Sequence, residues 1–286
     1  MSTPPDSTSA SQPTNQPALD LSGVFTLESH GPDTYVAESP HYPWGRIYGG
    51  LVIAQALWAA TQTVRVEHVV HSLHAYFILG GEFSEPVRYE VDRVRNGRSF
   101  TTRRVVARQS AGAILTLECS FQRFEDGVES QPETMPAGVP GPDALPVVYD
   151  AGLDRREIPE SAGAPGSKVW GRFPIALGDD ARLHYCALAY LSDMNAMDAV
   201  SASRAGGRPT GDGEWSEWMG ASLDHAMWFH RPVKADDWVL MDMTGHGLVR
   251  TRGLATGHVF DRSGTHVATI AQEGLLRTKK KPTSTG

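Results

Sequence analysis

The stretch at 49–63, GGLVIAQALWAATQT, has the make-up of a helix but is apolar nearly all the way round. Such a helix has no face to offer to water, so another element must wrap it on every side. The residues that follow supply the wrapping. VRYEVDRV alternates Val87, Tyr89 and Val91 with Arg88, Glu90 and Asp92, and LTLECSFQ alternates Leu115, Leu117, Cys119 and Phe121 with Thr116, Glu118, Ser120 and Gln122. A two-residue period is that of a strand with one buried face. With HSLHAYFIL, TTRRVVARQ and a turn at 110–112, these runs predict one helix followed by four antiparallel strands that curl round it.

The same order returns in the second half. DDARLHYCALAYLSD reads as a helix, and SLDHAMWFHRP, DWVLMDMT, RTRGLATGHVF and THVATIAQEGLLR read as strands, with a turn at 261–264. A gapless shift of 150 residues pairs Ser72 with Ser222, Leu73 with Leu223, Asp92 with Asp242, Gly97 with Gly247, Thr101 with Thr251 and Gln122 with Gln272. The weight rests on the order of the elements, because so few identities say little alone. The prediction is a duplicated α+β domain. Between the copies, EDGVESQPETMPAGVPGPDALP is dense in Pro, Gly and acids without an apolar period, which reads as a linker. The expected organisation is a disordered leader at 1–20, a first unit at 21–125, a linker at 126–165, a second unit at 166–278 and a basic tail at 279–286.

Bulk properties exclude some functions. A net charge of −7 disfavours nucleic acid as a partner, since phosphate contacts need clustered cations. No window has the apolar length of a membrane span, and the Ser/Thr/Pro-rich start lacks the pattern of a secretory signal. Cys119 and Cys186 form neither a disulfide framework nor a ligand motif, which suits a reducing compartment and predicts a cytoplasmic protein. ASLDHAMWFHRP gathers two histidines, an aspartate and a serine, but the five-residue step from His225 to His230 puts the rings on opposite faces of a strand. No metal or other cofactor is expected.

VHSLHAYF, RNGRSFTTRRVVARQ and ECSFQ in the first half, with AYLSDMN, SLDHAMWFHRP and AQEGLLR in the second, resemble the acyl-CoA thioesterase II family. The resemblance spans about 24–125 and 166–277. It implies a double hotdog fold and hydrolysis of fatty acyl-CoA to a free acid and coenzyme A. It further implies a water molecule oriented by an Asp, a Ser or Thr, and a Gln, which here are Asp193, Ser222 and Gln272. Hotdog units pair through their sheets in that family, so a pseudo-dimer within the chain and a homo-oligomer of chains are expected. Two departures touch substrate placement: Leu51 follows the paired glycines where many members have Gln, and Leu79 and Gly80 stand where many have Arg-Pro.

The chemistry is sound independently of the resemblance. A thioester carbonyl is electrophilic enough for attack by a water that a carboxylate polarises, and general-base help is worth roughly 10²- to 10⁴-fold. Asp193 would take the proton while Ser222 and Gln272 hold the water; the N–H that stabilises the oxyanion is not assigned by sequence. The first half matches Ser72 and Gln122 to this pattern but carries no acid in its helix, so it is expected to complete the pocket rather than to react. Cations for the coenzyme A phosphates are sought at Arg103, Arg104, Arg231 and Lys234, and 201–220 is read as a loop or lid. A Ser222–His225–Asp193 nucleophile triad is the competing enzyme reading; GASLD is not G-x-S-x-G, and strand alternation places Ser222 with Asp224 and Ala226, apart from His225. The alternative of a different class is a non-catalytic acyl-CoA or lipid-binding hotdog module.

Overall fold

The computed structural model describes residues 19–150, 153–160, 164–208 and 217–279. The leader up to 18 and the tail from 280, together with 209–216 of the expected loop or lid, lie outside the described residues.

Helix α1 spans Gly49–Thr61 and is buried at every position except Gly49 and Trp58. Its wrapping is the predicted one: β3 (His68–Phe77), β4 (Val87–Asn96), β5 (Phe100–Gln109) and β6 (Gly112–Arg123) run antiparallel and turn Leu73, Tyr89, Val105 and Leu117 inward. Helix α2 (Ala181–Ser192) begins at Asp180, whose carboxylate accepts the N–H of Arg182, and is followed by β10 (Trp218–Ser222), β11 (Asp224–Phe229), β12 (Val239–Val249), β13 (Arg252–Asp261) and β14 (His266–Thr278). Each copy also has strands ahead of its helix, β1 (Glu28–Ser29) and β2 (Thr34–Ala37) in the first, β7 (Val148–Asp150), β8 (Leu153–Ile158) and β9 (Gly166–Arg172) in the second.

The halves share one sheet, in the order β1-β2-β4-β5-β6-β3-β11-β14-β13-β12-β9-β8-β7. Its seam is the antiparallel pair β3–β11, with Leu73 opposite Met227 and Ser72 opposite Trp228. Helices α1 and α2 pack against each other, so the apolar surface that each unit leaves uncovered is covered by the other.

The stretch read as a linker is not free of structure. Its LDRREI forms β8, which pairs with β9 through Arg155 and Gly171 and belongs to the second unit's part of the shared sheet. Composition hid this because Arg155 reads as surface. It is 4% exposed, and its guanidinium bonds Asp198 at 2.5 Å and the carbonyl of Met194 at 3.1 Å. The Pro-rich part is strapped onto the second unit, with Trp170 donating to the Pro140 carbonyl and Gln131 to that of Gly264. A second short helix, α3 (Ala196–Ala202), and β10 absorb the described ends of the expected loop at 201–220.

Candidate active site

Asp193, Ser222 and Gln272 come together. Asp193 ends α2 as its C-cap, Ser222 ends β10 and Gln272 lies on the inner face of β14, fully buried. The Ser222 hydroxyl donates to Asp193 Oδ1 at 3.3 Å, and Gln272 Nε2 donates to Ser222 Oγ at 2.8 Å. A carboxylate at a helix C-terminus opposes the helix dipole, and the counterweight comes from the other half. Helix α1 starts at Gly49 without a side-chain cap, and the Gly50 N–H bonds the Asp193 carboxylate. The approach needs glycine: a Cβ on Gly49 would sit 2.6 Å from Asp193 Oδ2, and one on Gly50 would strike the Tyr190 carbonyl.

Burial pushes the Asp193 carboxyl above its ordinary value, while the His225 ring and the bonds from Gln272, Ser222 and Gly50 pull the other way. Burial likewise lowers the pKa of His225, against the opposing charge of Asp193. A cleft of about 340 Å³ opens beside Asp193 and Ser222, lined on its apolar side by Trp44, Ile47, Val52, Phe77 and Ile114. A second cavity of about 320 Å³ meets the same two residues from the side of Met197, Asp198 and Leu276.

Two expectations need correction. Strand alternation parts Ser222 from His225, yet both reach this site, because the pairing with β14 slips by one residue between Ser222↔Gly274 and Ala226↔Ala271. That bulge at Leu223 flips the parity. His225 Nδ1 lies 2.5 Å from Gln272 Oε1, and its Nε2 lies 2.8 Å from Ser192 Oγ. With both ring nitrogens so engaged, His225 has none left for the Ser222 hydroxyl, which removes the triad's geometry. The signal in the sequence that points His225 inward is its alternation with Met227 and Phe229, which share its buried face.

The second correction concerns the repeat. Arg103 pairs with Cys119 as Ala255 pairs with Gln272, all four buried, so the place of Gln272 in the first half is held by Cys119 and not by Gln122. Ser72 and Gln122 neighbour the inward Leu73 and Phe121 and therefore face outward. Nor do the four expected cations meet the cleft. Arg103 is 1% exposed and ties Thr63 to Asn96; Arg104 pairs with Asp92; Arg231 bonds the carbonyls of His266 and Ser130; Lys234 lines a cavity beside Asp237 and Trp238. Arg46 does line the cleft.

Comparison with known proteins matches residues 38–122 to the acyl-CoA thioesterase N-terminal domain and 126–276 to the acyl-CoA thioesterase C-terminal domain. The chain belongs to the acyl-CoA thioesterase II family. Acyl-coenzyme A thioesterase 8 of Mus musculus is 31% identical over 91% of this chain and 89% of its own length. Acyl-CoA thioesterase 2 of Haemophilus influenzae is 32% identical over 89% and 96%. The crystal structure of an acyl-CoA thioesterase II from Mycobacterium marinum superposes with a TM-score of 0.78 at 35% identity, covering 92% of this chain and 99% of that one. A protein from Alicyclobacillus acidocaldarius described as having a hot dog fold shares the architecture at 18% identity, with a TM-score of 0.74 over 91% of this chain and 98% of that one. As a member of the acyl-CoA thioesterase II family, the chain is a double hotdog.

Proposed function

We propose that this protein hydrolyses fatty acyl-CoA to a free acid and coenzyme A through a water activated by Asp193, with Ser222 and Gln272 holding it. The observation that carries the reading is the line of donors from Gln272 through Ser222 to Asp193 at the foot of an apolar cleft. The acyl chain lies against Trp44, Ile47, Val52 and Phe77, and the carbonyl sits at the start of α1. There the Gly49 N–H and the positive end of the helix stabilise the oxyanion. Water adds its oxygen to the carbonyl carbon and gives a proton to Asp193. The tetrahedral intermediate then collapses with loss of the thiolate, and the proton passes to sulfur. Arg46 at the cleft is assigned to the phosphates of coenzyme A, since it lies where the expected cations do not.

The intact trio supports an enzyme over a non-catalytic binding module. Thiol release over acyl-CoAs from acetyl to palmitoyl, followed with a thiol-reactive dye on wild type and Asp193→Asn, tests this. Release by wild type that collapses in the variant is expected, and a variant with normal turnover would remove Asp193 from the site. The reading extends to a homo-oligomer formed through outer sheet faces, where Tyr76 and Trp228 are exposed, and to a cytoplasmic location, in keeping with two buried free cysteines. Light scattering on purified protein checks the first and fractionation the second. No described helix is long and apolar enough to cross a membrane.

A further inference from the structure

The chain carries a net charge of −7, yet at one place its positive charge is gathered. A cavity of about 510 Å³ lies where β3 and β5 begin and β4 and β6 end, just past the C-terminus of α1. Arg65, Arg93, Arg98, Arg103 and Arg123 line it, with Glu67 as their acid. Among the described residues, no Phe, Tyr, Trp, Leu, Ile, Val or Met does, so the cavity is not built for an apolar ligand. Helix α1 runs 13 residues from the start that meets Asp193, about 20 Å, which puts this cavity at the far end from the cleft.

The surroundings answer only part of this charge. Arg93 donates to both carboxylate oxygens of Asp33 at 2.8 Å, and Arg65 lies 4.0 Å from Glu67. Among the described residues, no carboxylate pairs with Arg98, Arg103 or Arg123. Arg103 is 1% exposed, and all five of its N–H groups go to neutral acceptors: Nε to Thr63 Oγ1, Nη1 to the carbonyls of Arg95 and Thr102, and Nη2 to the Thr63 carbonyl and Asn96 Oδ1. Its hydrogen bonds are complete and its charge is not met. Burial, then the like charge of Arg93, hold its pKa below the ordinary arginine value. A buried cation without a counter-charge is costly, and an anion in the cavity would offset that cost.

His68 adds an independent observation. It is 4% exposed, lines the same cavity, and neither of its ring nitrogens has a hydrogen-bond partner. A neutral imidazole holds one N–H and one lone pair, so a buried ring left unpaired calls for a partner that the protein does not supply. The negative end of α1 accounts for Arg103, which bonds the Thr63 carbonyl there, but neither for Arg98 and Arg123 nor for His68. We propose that this cavity binds a small, multiply charged anion of the pyrophosphate kind, apart from the acyl-CoA cleft. Arg98 and Arg123, both exposed, close on its oxygens through charge-assisted bonds, over a floor formed by Arg103 and His68. Arg98 is carried by the β4–β5 turn, whose Gly97 admits no side chain, since a Cβ would meet the Phe100 carbonyl at 2.4 Å. The lining gives a nucleobase no exposed aromatic ring to stack on, so the phosphates alone are recognised.

The test is isothermal titration of the full chain with pyrophosphate at about 0.15 M salt, where weak surface attraction is screened. Wild type, Asp193→Asn and the double variant Arg98→Gln/Arg123→Gln are compared. Expected are one pyrophosphate per wild-type chain, the same affinity in Asp193→Asn, and a Kd raised about 10-fold or more in the double variant, whose thiol release stays at the wild-type rate. Orthophosphate should bind more weakly than pyrophosphate, and adenosine diphosphate no more tightly. The titration reads binding alone, so it stands whether or not Asp193 activates water. No uptake by wild type, or an unchanged Kd in the double variant, would overturn the site. Competitive inhibition of thiol release by pyrophosphate would place the anion on the path of acyl-CoA and overturn its separateness. Adenosine diphosphate bound more than about 10-fold tighter than pyrophosphate would overturn recognition by phosphates alone.

Discussion

At the scale of the residue, the site runs on opposed effects acting on Asp193. Burial raises its pKa and the bonds from Gln272, Ser222 and Gly50 lower it. In the proposed mechanism it must be ionised to accept a proton, so the acid limb of kcat/KM is expected at higher pH than an exposed aspartate would give. Ser222→Ala removes a bond that favours the carboxylate. The limb should move further up and kcat should fall about 10²-fold, both read from a pH–rate profile; an unmoved limb would detach Ser222 from Asp193. His266 presents the sign for a histidine. Burial first, then its neighbours His230 and His258, hold its pKa down at about 4. The unfolded ring binds a proton near 6.5, so the unfolded chain holds more protons between the two values. The stability contributed by keeping this ring neutral is complete above 6.5 and lost as pH falls toward about 4. Denaturant midpoints should drop across that window, and less so in His266→Asn.

At the scale of the element, α1 is core and, in the proposed mechanism, also part of the site. Its interior residues satisfy the hydrophobic demand that made the helix readable, while its first two glycines serve the second half. Ala is a better helix former than Gly by about 1 kcal/mol, so Gly49→Ala would help a helix taken alone. Here the added Cβ meets Asp193 Oδ2 at 2.6 Å and Phe77 Cε1 at 2.9 Å. Turnover is expected to fall about 10²-fold while circular dichroism retains the helix; wild-type turnover would show that α1 does not touch the site. The bulge at Leu223 is the other element-scale device. It lets one run of chain send Ser222 and His225 to the same side, which a regular strand forbids.

At the scale of the molecule, the two halves are chemically unequal and structurally inseparable. The acid, hydroxyl, amide and imidazole come from the second half, and the helix start and most of the apolar cleft from the first. The chain near Phe124 and Val128 is exposed, which makes the bond between Asp126 and Gly127 a suitable cut. Halves made separately from that cut are expected to be inactive alone and to recover thioesterase activity when mixed, measured by thiol release. Turnover by the second half alone would show that α1 is dispensable.

The sequence by itself determined the helix wrapped by strands, twice over. Apolar residues all round 49–61 and strict alternation in 87–91 and 115–121 leave few other ways to remove that surface from water. It also marked Asp193, Ser222 and Gln272, though only through resemblance, since none of them is distinctive by type or spacing. What lies between elements was not readable. The one-residue bulge at Leu223 has no signature in composition; β8 passes for linker because its buried Arg155 finds its partners on α3 and at the end of α2; and Gly49 meets Asp193 only after β3 and β11 have joined the halves. Periodicity reports which way a side chain faces within one element, whereas register and burial of charge are set by contacts between residues far apart in the chain, which only the tertiary structure decides.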